Sequence, residues 1–133
     1  MKPTVSLRRA LSDPNLLGYA LSGDSWAPWR TLLIASMGEE LTEVERVTFK
    51  AITGREREPL QRVHELAAVV GRRGGKSRSM AALATYIAAL CDHSDALVPG
   101  EHGVLLCVAL DQRLPWRYAR QASASCVVQL MSR

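Results

Sequence analysis

The stretch Val69-Val70-Gly71-Arg72-Arg73-Gly74-Gly75-Lys76-Ser77 joins an apolar run to a helix-compatible segment through a glycine-rich turn. The run from Leu66 to Val70 reads as a short strand, and Lys76-Ser77 opens the helix. A strand, a small-residue loop, Lys-Ser and a helix, in that order, make a cradle for phosphate. Glycines let successive backbone N–H groups converge on an anion without a Cβ in the way. The helix start adds unpaired donors and the positive end of its dipole. The lysine ammonium reaches the outer phosphates of a nucleotide, and the serine hydroxyl is the expected Mg²⁺ ligand. One residue departs from the common pattern G-x-x-x-x-G-K-[ST]. The first glycine of that pattern falls on Val70, and Gly71 comes one place late. A glycine-rich surface turn that merely has basic neighbours is the plain alternative.

Beyond the loop, Met80, Leu83, Ala84, Ile87 and Leu90-Cys91 recur at helical spacing, which predicts a helix from Lys76 to about Cys91. Asp92 to His102, with Pro99-Gly100, has the length of a crossover loop. Val104 to Leu110 is then a continuous apolar run, as expected of a strand covered on both faces. Strand, helix and strand predict a βαβ unit with parallel strands and a right-handed crossover. The expected class is therefore α/β, with a helical lead-in over 1–62, a partial nucleotide-binding core over 63–113 and a tail over 114–133.

Upstream, residues 5–21 read as one or two short helices broken at Asp13-Pro14, because proline disfavours helical geometry in the residue before it. Ser22-Gly23-Asp24-Ser25 is a turn. A helix follows from Trp26 to about Met37, with Pro28 in its first turn. Trp26 and Trp29 share one face of it, which suits core packing, with base stacking as the alternative. Gly38 ends this helix, Thr42-x-x-Glu45 is a capping box opening another, and Gly54 supplies its stop. Val44, Val47 and Ile52 lie along the apolar side of that second helix, with Phe49 nearby. Residues 55–62 are charged and aperiodic, hence a loop. Gln61 invites assignment as an adenine reader, against a solvated loop residue, and His64 reads as structural.

Gly71-Arg72-Arg73-Gly74-Gly75-Lys76-Ser77 resembles the deviant Walker A loop of terminase large subunits, the ATPases that drive DNA into viral procapsids. In that family the leading glycine is often replaced, and an arginine sits four places before the lysine, where this chain has Arg72. The flanks extend the likeness over about residues 12 to 113. Upstream they are Trp26-Ala27-Pro28-Trp29-Arg30, Leu32-Leu33 and Thr53-Gly54-Arg55; downstream, Gly103-Val104-Leu105-Leu106-Cys107-Val108-Ala109-Leu110-Asp111-Gln112-Arg113. The resemblance implies an incomplete P-loop NTPase sheet of the RecA-like (ASCE) kind, with ATP and Mg²⁺ as cofactors. It implies catalytic roles for Arg72 and Lys76. By the same likeness Gly71, Arg72, Arg73, Gly74, Gly75, Lys76, Ser77 and Arg78 hold the nucleotide, and Ser77 holds Mg²⁺. The implied partners are double-stranded DNA, a portal protein, a small terminase subunit and, at full length, further copies of the chain, all in the cytoplasm of an infected cell.

That family also carries a strand ending in Asp-Glu, a coupling motif and a carboxylate-rich nuclease domain, none of which can be found here. Asp111 follows an apolar run, but Gln112 stands where the glutamate belongs. At 133 residues the chain is long enough for one core and short for a packaging ATPase. It therefore reads as an amino-terminal fragment, with an aberrant tail from about Leu114. Two other readings stay open. One is a small P-loop kinase or GTPase-like protein that uses Asp111 for Mg²⁺. The other is a basic DNA-binding or assembly protein whose glycine turn touches backbone phosphate.

Composition agrees with a folded, phosphate-seeking chain. The hydrophobic content of 47% excludes a disordered polymer, and the net charge of +4, with arginines clustered from Arg55 to Arg78, suits ATP and DNA alike. Cys91, Cys107 and Cys126 form no CxxC pair, and the set Cys91, His93, His102 and Cys107 matches no common zinc spacing, so buried free thiols are expected. With no signal peptide and no run of membrane-spanning length, no membrane role is expected.

Overall fold

A computed structural model describes residues 1–104 of the chain. Its first element is a two-residue strand, β1 (Lys2–Pro3). Helix α1 (Leu7–Ser12) starts where the Ser6 side chain accepts the Arg9 N–H, and it stops at Asp13, ahead of Pro14. The Glu39 carboxylate accepts the free N–H groups of Leu7 and Arg8, the latter at 3.1 Å, and so caps the same helix from a distance. One turn of 3₁₀ helix, Asp24–Trp26, leads into α2 (Ala27–Ser36), with Pro28 in the first turn. Helix α3 (Glu43–Thr53) opens on the reciprocal Thr42–Glu45 capping box and ends on left-handed Gly54. Helix α4 (Lys76–Leu90) is the longest, and it runs straight into β2 (Cys91–Asp92).

The core is helix on helix. Leu7, Ala10 and Leu11 of α1 meet Trp29, Leu33 and Ile34 of α2, Phe49 of α3, and Leu83, Tyr86 and Ile87 of α4. Tyr86 is wholly buried, and its hydroxyl donates to the Val5 carbonyl at 2.7 Å. That bond ties α4 to the amino terminus. The tie continues as β1 and β2 pair antiparallel, Lys2 opposite Asp92 and Pro3 opposite Cys91, with the Thr4 N–H on the Leu90 carbonyl at 3.0 Å.

This architecture overturns the expected α/β class. The described residues are mostly helical and carry one two-stranded antiparallel sheet, not a parallel βαβ unit of a RecA-like sheet. The apolar run before the loop explains the misreading. Leu66, Ala68 and Val70 are half-buried while Ala67 and Val69 are exposed, so the two-residue alternation of a strand is present. What is lacking is a ladder. Residues 64–70 make no backbone–backbone hydrogen bond among the described residues. Alternation decides which side faces inward, but only a neighbouring chain turns extended backbone into a sheet. After α4 the chain pairs at once with the amino terminus rather than crossing back beside residues 66–70. Of the second expected strand only Val104 is described, and it is exposed; residues 105–110 lie outside the described residues.

One local expectation also changes. On α3, Phe49 is the buried residue, whereas Val44 and Val47 are 78% and 72% exposed. Residues 55–62 form the expected loop, and Glu58 inside it is bound by Arg46 and by the Leu41 N–H. Among the described residues no helix is long and apolar enough to cross a membrane.

Candidate phosphate-binding loop

Between Val70 and α4 the chain makes a tight turn closed by one internal bond, Gly74 N–H to the Gly71 carbonyl at 3.2 Å. Arg73 and Gly75 both adopt left-handed backbone, at φ 63° and 80°. For Arg73 that geometry costs about 1–2 kcal/mol. A Cβ on Gly75 would stand 2.6 Å from the Trp26 ring, and one on Gly74 would stand 2.3 Å from a Val70 methyl. Gly71 has neither constraint: its φ is not left-handed and a Cβ there would meet open space. The turn therefore needs glycine at 74 and 75. It accommodates the missing first glycine because the Val70 side chain packs against Gly74.

The loop presents donors. No backbone acceptor or side-chain cap engages the N–H groups of Arg72, Arg73, Gly75, Lys76, Ser77 or Arg78 among the described residues, and the first bond of α4 is Ser79 N–H to the Gly75 carbonyl. The Lys76 ammonium folds back over the turn, donating to the Val70 carbonyl at 3.0 Å and the Gly71 carbonyl at 3.1 Å. Arg72 and Arg73 are exposed, and among the described residues no carboxylate pairs with either of them or with Lys76. Ser77 is exposed on the first turn of α4, next to those free amides. Cationic side chains and unbonded N–H groups thus share one short turn, with no carboxylate among the described residues paired to the cations, a setting favourable to an anion.

Arg78 is placed differently from its neighbours. Its guanidinium donates to the Tyr19 carbonyl at 2.9 Å and to the Ala20 carbonyl, and lies 5.1 Å from the centre of the Trp26 ring. Its Nη1 group and its backbone N–H make no bond among the described residues. Gln61 is exposed, and its backbone passes against Gly38, whose missing side chain makes the approach possible. Asp111 lies outside the described residues. Cys91 is buried, and burial pushes its thiol up, as suits an unreactive core sulfur.

Sequence reasoning missed the support behind the loop. The Trp29 indole N–H donates to the Gly74 carbonyl at 2.7 Å, and Trp26 covers Gly75. Spacing put both tryptophans on one helix face, but nothing in it tied that face to glycines so far along the chain. An open cavity of about 750 Å³ adjoins the loop, between residues 65–70 and a wall of Pro28, Trp29, Leu32, Phe49 and Ile52. No protein-family model, curated protein sequence or solved structure matches the chain.

Proposed function

We propose that the turn from Gly71 to Ser77 binds the phosphate chain of ATP, with Mg²⁺ on the Ser77 hydroxyl. One observation carries the reading: free loop amides and the Lys76 ammonium meet at one turn with no carboxylate among the described residues to balance them. Arg72 and Arg73 add guanidinium groups able to reach β- and γ-phosphate oxygens, for which a planar fork of donors is better shaped than an ammonium. The reading requires the turn and the helix behind it, not a parallel sheet.

On the same proposal the chain is the ATP-binding part of a DNA-packaging motor of the terminase large-subunit kind, acting on double-stranded DNA. Support for that comes from the arginine four places before Lys76 and from the flanking segments quoted above. Because no glutamate base is identified, the chain by itself is expected to bind Mg-ATP weakly and to turn it over little. The deciding experiment is titration of the labelled protein with Mg-ATP while following backbone amide resonances. Shifts concentrated at residues 71–78 are expected. Resonances that stay put at millimolar nucleotide would remove the proposal. Affinity for DNA that depends on salt and ignores ATP would instead favour a basic DNA-binding protein.

A further inference from the structure

We infer that Trp29 is a positioning residue for phosphate binding: its indole N–H holds the Gly74–Gly75 peptide so that the Gly75 amide faces the ligand. This rests on the phosphate-binding reading above and names the residue that prepares that site.

In a trans peptide the C=O and N–H of one unit point in opposite directions, and no cis bond occurs among the described residues. Trp29 Nε1 fixes the Gly74 oxygen at 2.7 Å. The N–H of Gly75, in the same unit, is therefore aimed away from the indole, and it meets no acceptor among the described residues. Two successive glycines have more conformational freedom than any other pair, so an untethered unit here is free to rotate. Rotation would turn a carbonyl oxygen toward the phosphates and repel them. Trp29 itself has little freedom. It is 9% exposed and belongs to the buried cluster on α2 with Leu33 and Ile34. Trp26, one turn earlier, closes the other side of Gly75. A rigid helix thus sets the orientation of a flexible loop, which lowers the ordering cost when an anion binds.

A buried indole N–H needs some acceptor in any case, so the test separates simple satisfaction from positioning. In the 133-residue chain Trp29 is replaced by 3-benzothienylalanine, which keeps the bicyclic shape and has sulfur where the N–H was. Trp29→Phe is the second variant, and Lys76→Ala the control. Mg-ATP affinity is measured by calorimetry, thermal unfolding reports the fold, and the Gly75 amide resonance reports the peptide. The expected result is a benzothienyl variant that unfolds as cooperatively as the parent but binds Mg-ATP about five- to tenfold more weakly, as loss of one hydrogen bond implies. Its Gly75 amide is expected to lose most of the ligand-induced shift. Unchanged affinity and an unchanged Gly75 response, in a chain where Lys76→Ala does weaken binding, would overturn the Trp29 inference alone. If the parent chain fails to bind Mg-ATP and Lys76→Ala behaves like it, the phosphate-binding reading falls and the inference with it.

Discussion

Arg46 on α3 grips Glu58 with two of its nitrogens, Nε to Oε2 at 3.1 Å and Nη2 to Oε1 at 2.9 Å. The pair staples the segment after α3 onto that helix, and Glu58 also takes the Leu41 N–H at 2.9 Å. Arg46 reaches Glu43 and Glu40 as well, so one guanidinium organises three carboxylates. Hydrogen bonding from Arg46 holds the Glu58 carboxyl down at about 2, and the same bond raises the Arg46 guanidinium.

This predicts a specific acid sensitivity. Unfolded glutamate titrates near about 4.3. A carboxyl lowered by folding adds stability that is complete above the unfolded value and is lost as pH falls toward the folded one. The urea midpoint is therefore expected to drop steadily between about pH 5 and about pH 2. Glu58→Gln should lower stability at neutral pH and flatten part of that acid slope. The rest belongs to residues such as Glu45, which hydrogen bonding from Arg8 also lowers. An acid slope identical in parent and variant would contradict the assignment.

The loop glycines should not be equivalent. Gly75→Ala places a Cβ on left-handed backbone and against Trp26 at 2.6 Å. It is expected to cost about 2–3 kcal/mol by chemical denaturation. Gly71→Ala meets open space on ordinary backbone and should stay within about 0.5 kcal/mol of the parent. Equal costs at the two positions would mean that the turn geometry is wrong.

The helices were legible because their signals are local. The Asp13-Pro14 break, the Thr42–Glu45 box, Pro28 and Gly54 each act within a turn of their own position, and the structure uses all four. The glycine turn was legible for the same reason. Strand pairing is not local. Residues 66–70 carry strand alternation without a ladder, while Lys2–Pro3 and Cys91–Asp92 pair without any alternation long enough to notice. The apolar spacing of α3 misled because Val44 and Val47 project from a helix with its neighbours on the Phe49 side. Trp29 on Gly74 and Arg46 on Glu58 depend on how separate segments meet, which no window of sequence contains.

The exposure of α3 is itself testable. Val47→Lys, on a residue 72% exposed, is expected to change stability by less than about 0.5 kcal/mol, since lysine is as good a helix former and loses no burial. Phe49→Ala on the same helix should cost about 3–5 kcal/mol, because Phe49 is 3% exposed within the core. A severe Val47→Lys defect in the isolated chain would show that this face is covered.

Lys76 and Ser77 should separate by their dependence on metal. Without ligand the Lys76 ammonium is shared between the Val70 and Gly71 carbonyls, neutral acceptors that a triphosphate oxygen outcompetes electrostatically. Removing a charge-assisted contact of this kind costs about 1.5–3 kcal/mol, so Lys76→Ala should weaken nucleotide binding roughly ten- to hundredfold, with or without Mg²⁺. On the proposed reading Ser77 acts through the metal, so Ser77→Ala should weaken Mg-ATP binding while leaving metal-free ATP affinity nearly unchanged. Calorimetry on both variants, with Mg²⁺ and with a chelator, checks the pair. A Ser77→Ala loss of equal size under both conditions would put the serine hydroxyl on phosphate instead of on the metal.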